Sequence, residues 1–250
     1  MKATMKGEFR KLFTVRSTYI LIILAALLIV LVNFYFEGYR GITGSPASIL
    51  SPDALKEIIN NSAGLIAIFI AIIAILFIGH EYRYNTIMYT LISNTHRARV
   101  LLAKVFTVAV FSFITGLILT LFAIGCYFVG LELRGASLPP QNLDELYQFG
   151  KLTAYFVGYG LIGLLISTLL RSVIAAIAVF LIAPATIEPL ASIPLKENAV
   201  YLPFSSLDNI LNIGIIKSDV SPATSILVVG AYLLVGFVIA YLLFLRRDAN

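Results

Sequence analysis

Tryptophan is absent from the chain and cysteine occurs once, at Cys126, so no intrachain disulfide is available. The two histidines, His80 and His96, stand apart from that cysteine, and no Cys/His cluster has the spacing of zinc ligands. Charge is the scarcest commodity: 12% of the 250 residues are Asp, Glu, Lys or Arg, against about 25% in a soluble domain. With 60% apolar residues and a mean hydropathy of +0.96, the chain cannot cover a water-facing surface. The same numbers exclude disorder, which requires low hydrophobicity and high charge. What remains is an all-α integral membrane protein.

Crossing the hydrocarbon core takes about 20 mostly apolar helical residues. Charge-free runs of that order occur six times: Tyr19–Phe36, Ile58–Gly79, Val105–Leu131, Leu152–Leu170, Ser172–Ile187 and Val220–Leu245. They predict spans at about 18–36, 60–80, 101–131, 151–170, 172–190 and 222–245 of one transmembrane domain covering 1–250. The fifth run is the weakest, with Pro184 inside it and Glu188 at its end. No run alternates with period two, which argues against a β-barrel. The stretch Asn198–Ile216 is apolar but interrupted by Pro203, Asp208, Asn209 and Asn212. It reads as part of an extracytoplasmic or re-entrant segment over 191–221, since non-helical backbone survives at depth only where protein or water satisfies it.

Six spans place both termini on one side. That side collects twelve Lys and Arg against three acids, and the other collects six against ten. Excess Lys and Arg mark the cytoplasmic face, so both termini are expected inside. The first run is too long for a signal-peptide core, and no small-residue cleavage site follows it.

Residues 4–17 predict an amphipathic helix lying in the headgroup layer. Met5, Phe9, Leu12 and Phe13 fall on one face, with Lys6, Arg10 and Lys11 elsewhere on the wheel. The cytoplasmic loop 81–99 is longer than a minimal hairpin. Within it Tyr84 to Ile92 can form two or three helical turns that gather Ile87, Met88, Leu91 and Ile92, and apolar side chains there need the membrane or a partner. The opposite loops, Glu37–Glu57 and Glu132–Lys151, are rich in Gly, Pro, Ser and acids; each has room for a short helix, at Asp53–Asn60 and Asn142–Phe149.

The middles of the six runs lack every ionisable residue, which disfavours a proton- or sodium-driven transporter. Glu188, His80 and Lys104 lie near run ends, where snorkelling toward water explains them. Gly150-Lys151 lacks the context of a phosphate-binding loop, and no nucleophile elbow, zinc helix or potassium-filter sequence is present. Ser167 and Ser172 read as packing residues. Gly116, Gly125, Gly158, Gly160, Gly163, Gly230 and Gly236 permit close helix contact, while Tyr19, Phe34, Tyr35, Phe36, Tyr155, Tyr159 and Tyr241 suit an interfacial belt. A membrane protein with no chemistry of its own and a developed cytoplasmic loop is driven from outside.

Four segments carry a family resemblance. Glu8-Phe9-Arg10-Lys11, followed by Thr14, Arg16 and Ser17, leads into the first span. Glu81-Tyr82-Arg83 is followed by Thr86, Ile87, Leu91, Arg97, Leu101, Leu102 and Lys104. Gly163 to Val173 closes the fourth span with a tight turn at Arg171-Ser172, and Phe244-Leu245-Arg246-Arg247-Asp248 ends the chain. In this order they resemble a permease subunit of ABC-2-type ATP-binding-cassette transporters. The resemblance implies an exporter built from two permeases, identical or paralogous, and two copies of a separate ATPase subunit. ATP and magnesium would be bound by that ATPase, with no cofactor and no enzymatic activity in this chain. It implies that the helix bearing Glu8, Phe9, Arg10 and Lys11, and the loop bearing Glu81, Arg83, Tyr84, Ile87, Met88, Leu91, Ile92 and Arg97, contact the ATPase, and that Pro184–Pro222 is a broken outer segment. The expected setting is a bacterial plasma membrane, with lipid and no nucleic acid as a further partner; the substrate and its binding residues are left open. Competing readings are a non-transporting anchor, immunity or regulatory subunit that recruits an ATPase, a membrane-embedded lipid-modifying enzyme, and a passive channel.

Overall fold

The structure is a computed structural model that describes residues 2–41, 53–84, 86, 97–136, 144–213 and 220–247. Every regular element among them is helical. Helix α1 (Lys2–Thr14) is followed by α2 (Arg16–Ile29), which runs on in π-helical geometry through Val30–Arg40. Then come α3 (Ala54–Arg83), α4 (Arg97–Arg134) and α5 (Glu145–Leu170). Helix α6 (Val173–Ile182) continues through a π-helical turn into α7 (Glu188–Leu195) and a 3₁₀ segment, Lys196–Tyr201. The described part ends with α8 (Pro203–Leu211) and α9 (Pro222–Arg247).

Six helical stretches are long and apolar enough to cross a membrane: Arg16–Arg40, Ala54–Arg83, Ala98–Arg134, Leu146–Leu170, Val173–Tyr201 and Pro222–Leu243. They match the six expected runs in number and order, but most are longer. The short helices expected at Asp53–Asn60 and Asn142–Phe149 are instead the first turns of α3 and α5. Asp144 helps to start α5, its carboxylate accepting from the Tyr147 amide at 3.2 Å. Pro184 does not end the fifth stretch. It lies inside a continuous helical run whose backbone takes π-helical geometry over Ala183–Ile187 around the missing N–H, and the helix proceeds. The turn between α5 and α6 forms as expected: Arg171 adopts φ of 53° and Ser172 caps α6 through the Ala175 amide.

The core is a seam between α3 and α5, whose most apolar stretches are each 61% buried, against 17% for the first and fifth stretches and 11% for α9. Small residues make the seam possible. A methyl group on Gly163 would lie 2.6 Å from the Ala71 carbonyl oxygen, so the two backbones touch, and Ser167 donates to the Ile75 carbonyl at 2.9 Å. A second close crossing joins the π-helical part of α2 to α4, where Gly38 meets Gly130. Gly116, Gly158, Gly160 and Gly236 also lie against neighbouring side chains, whereas Gly125 and Gly230 have nothing near them and are not packing positions within the chain. Tyr155 and Tyr159 are likewise not interfacial. They are 1% and 6% exposed because their rings fill the core, tilted against each other with centroids 4.8 Å apart, and their hydroxyls find a half-buried acceptor.

Candidate functional site

Helix α1 presents Glu8 and Lys11 on one face, one turn apart, and they meet at 2.9 Å. That face packs where α3 ends and α4 begins, bringing in Glu81 and Lys104. The Lys104 ammonium contacts Glu8 Oε2 at 2.6 Å and Glu81 Oε1 at 2.8 Å, and Lys11 contacts Glu81 Oε1 at 2.9 Å. The Phe77 ring lies 4.8 Å from the Lys104 nitrogen. Glu8, Glu81 and Lys104 are buried, at 2%, 6% and 1% exposure, while Lys11 keeps its outer side in contact with solvent. Removing a charge from water costs several kcal/mol, roughly, unless an opposite charge replaces the water. Two carboxylates and two ammoniums meet that condition across three segments.

This corrects the snorkelling expected of Lys104: its head turns inward because two carboxylates from other helices wait there. It also adds a second, protein-facing side to α1. Spacing predicted a stripe of Met5, Phe9, Leu12 and Phe13, but the buried pair is Glu8 and Leu12, and Phe13 is 48% exposed with its ring edge-on to Phe111. Burial pulls the Lys11 ammonium down, but the Glu81 carboxylate and then Glu8 more than offset it, so its pKa stands above the ordinary lysine value.

The other expected contact residues divide. Arg83 is exposed with its guanidinium 5.6 Å over the Tyr84 ring, and Tyr84 is 64% exposed. Arg10 is exposed and Phe9 half-buried. Arg97 opens α4. Ile87, Met88, Leu91 and Ile92 lie outside the described residues, and so does most of the expected helix from Tyr84 to Ile92. The structure thus brings together Glu8, Lys11 and Glu81 and adds Lys104. The available signal was one acid in the leading helix, one at a span end and one lysine at the next span start, all on the same side.

The far end of the bundle is polar in another way. Glu188 accepts from the Phe204 and Ser205 amides, each at 2.7 Å, and from the Ser205 hydroxyl at 2.6 Å. It caps the N-terminus of α8, supplying acceptors that the helix itself cannot. Glu188 therefore does not snorkel either; it is 6% exposed because its partners are backbone donors inside the fold. Asp208 accepts from the Tyr159 hydroxyl at 2.7 Å and the Tyr155 hydroxyl at 3.4 Å. Burial pushes its carboxyl above the usual carboxylate range, the tyrosine hydroxyls pull back, and Glu188 adds to the rise. Asn209 donates to the Ser225 hydroxyl at 2.7 Å, and Asn60 joins Gln148 to the Leu211 carbonyl. Leu207 packs against Gly158, well inside α5.

Among the described residues no three His, Cys, Asp or Glu side chains gather as metal ligands. At one end ion pairs join α1 to the end of α3 and the start of α4, and at the other a capped helix lies between α5 and α9. The family described as ABC-2 family transporter protein matches residues 4–188. The match takes in the whole ion cluster and stops at Glu188, leaving α8 and α9 beyond it. No curated protein matches the chain.

Proposed function

The chain belongs to the ABC-2 family of transporter proteins, and from that premise we propose that it is the permease subunit of an ATP-driven exporter. A separate ATPase works it from the cytoplasm, binding the ATP and magnesium. The observation that carries this reading is the buried cluster of Glu8, Lys11, Glu81 and Lys104. It makes α1, the end of α3 and the start of α4 one stiff block at the root of the loop 81–99. A push on that loop from a closing ATPase dimer passes directly into two spans. Ile87, Met88, Leu91 and Ile92 form the docking face, flanked by Arg83, Tyr84 and Arg97. Glu81 acts inward, holding the block together.

The excess of Lys and Arg on the side of the chain that holds the block supports a cytoplasmic position for both termini, with α1 read as lying along the headgroup layer. The segment from α7 to α8 is read as re-entrant. In support, α8 meets α5 at Gly158, about 20 Å along that helix at 1.5 Å per residue, and its polar groups are met by protein. The exposed apolar faces of α2, α6 and α9 suit lipid and a second permease, identical or paralogous, so that two permeases and two ATPases enclose the path.

The test is ATPase activity and transport in vesicles holding the permease with its ATPase. Leu91→Asp places a charge on the docking face, and the expected result is loss of transport with ATPase activity no longer responsive to the permease. Coupled transport in that variant overturns the docking claim. Movement of cargo by the purified chain alone, without nucleotide, overturns the function.

A further inference from the structure

We propose that Lys56 and Lys151 together bind a phosphate group at the end of the bundle opposite the ion cluster. Lys56 lies in the first turn of α3 and Lys151 in the second turn of α5. Gln148 pins the two helices together at this level, donating to the Asn60 side chain at 2.8 Å, with both residues buried. Lys151 is 5% exposed, and its ammonium lies 4.6 Å from the Tyr147 ring. Lys56 is half-buried. Neither lysine makes a hydrogen bond or an ion pair among the described residues. Lys56 is close enough for its charge to act on Lys151, so the charge that the buried lysine feels has its own sign. The Lys151 stem is packed away, but its ammonium is not among the polar atoms sealed from water and can be reached by a ligand.

Two cations held together without an acid carry a cost that an anion between them removes. Lys56 stands where the free amides of a helix start already favour negative charge. The acids nearby in sequence do not supply it: Asp144 caps α5, while Asp53 and Glu57 are exposed and form no ion pair. Phosphate suits two ammoniums, offering several oxygens to point-charge donors, whereas carboxylate suits the planar fork of arginine. By sequence the same side holds ten acids to six Lys and Arg, so a hold on an anion there comes from this pair and not from a general positive field. The phosphate has two sources, an anionic lipid headgroup or a soluble phosphate. Lys151 stands near the start of the fourth membrane-spanning stretch, with Leu146, Tyr147 and Phe149 exposed around it, as a headgroup carrying acyl chains requires. The site goes beyond the transport reading and does not depend on it.

Native mass spectrometry of the full chain, offered equal phosphatidylglycerol and phosphatidylcholine, reads the first source. Phosphatidylglycerol is expected to be retained about tenfold over the choline lipid, whose own cation the lysines repel; that factor is the effect of one charge-assisted hydrogen bond. Thermal unfolding in inorganic phosphate, against chloride at the same ionic strength, reads the second. Lipid preference alone assigns the headgroup, and a rise in unfolding temperature in phosphate assigns the soluble source; either supports the site. Absence of both overturns it. Lys56→Gln and Lys151→Gln are each expected to abolish the effect seen, and the half-buried Lys56 reads it without disturbing the packing around Lys151. Arg134→Gln, at an exposed cation of the same end, is expected to leave the effect intact. Equal loss in all three variants shows a diffuse field and overturns the site, as does a full effect in either lysine variant.

Discussion

At one end of the bundle four charged groups satisfy one another, and at the other two carboxylates are satisfied by neutral donors. The first arrangement ties three separate segments, α1, α3 and α4, through contacts of 2.6–2.9 Å that only opposite charges make worthwhile. The second also joins three, without an opposite charge: Glu188 at the head of α7 reaches the first amides of α8, and Asp208 of α8 rests on tyrosine hydroxyls of α5. Ion pairs hold a joint under load but leave a stranded charge when one member is lost. Neutral donors hold a wedge in place and tolerate loss of the charge. The ion-paired joint lies beside the loop we assign to the ATPase, and the wedge lies away from it.

Four substitutions bear on this contrast, in falling order of effect. Lys104→Met leaves Glu8 and Glu81 facing each other with the half-exposed Lys11 between them, and is expected to cost about 3–5 kcal/mol. Thermal unfolding of the purified protein reads it; a loss near zero would show that the cluster is not a joint. Glu188→Ala removes three hydrogen bonds from one carboxylate, with an expected cost of about 1.5–3 kcal/mol. Its signature is local: faster hydrogen exchange at the Phe204 and Ser205 amides, with exchange in α1 unchanged. Gly163→Ala strains the α3–α5 seam shared by both ends, at about 1–3 kcal/mol, and is expected to lower the unfolding temperature without favouring either end in exchange.

Asp208→Asn is the mildest. A folded pKa raised above the unfolded value means that the neutral form is favoured in the fold. Stability then falls as pH rises from about 3.9, the unfolded value, through the folded value. At neutral pH the ionised carboxylate is a cost that Asn avoids while still accepting from Tyr159. The variant is expected to match or exceed the parent at neutral pH, within about 1 kcal/mol, and to lose any advantage in acid. A large loss at neutral pH would mean that the carboxylate charge is needed, and the contrast between the two ends would fail.

Much of the fold was legible in the chain. The spans declare themselves as charge-free runs, the turn at Arg171-Ser172 is where one run stops and the next begins, and Ser167 packs as its place in an apolar run suggests. Legibility stops where partners are distant in sequence. Glu8 and Lys104 are 96 residues apart, and nothing local distinguishes a lysine that snorkels from one that turns inward. The same holds for Tyr155 and Tyr159, whose types suit an interface but whose hydroxyls meet Asp208, 53 and 49 residues away. The helix at residues 4–17 was foreseen, but not the packing of Glu8 against the bundle, because apolar spacing carries no information about a lysine supplied by another helix.

The amino-acid sequence alone determined that the protein is helical, that it has six stretches able to cross a bilayer and that Lys and Arg outnumber acids on one side of them. Hydrocarbon thickness and the cost of burying charge impose those features on any such chain, one segment at a time. Only the tertiary structure decided which charges are buried. A charge leaves water when an opposite charge or a set of hydrogen-bond donors stands within about 3 Å of it, and here those partners come from other segments, placed by packing of the whole bundle.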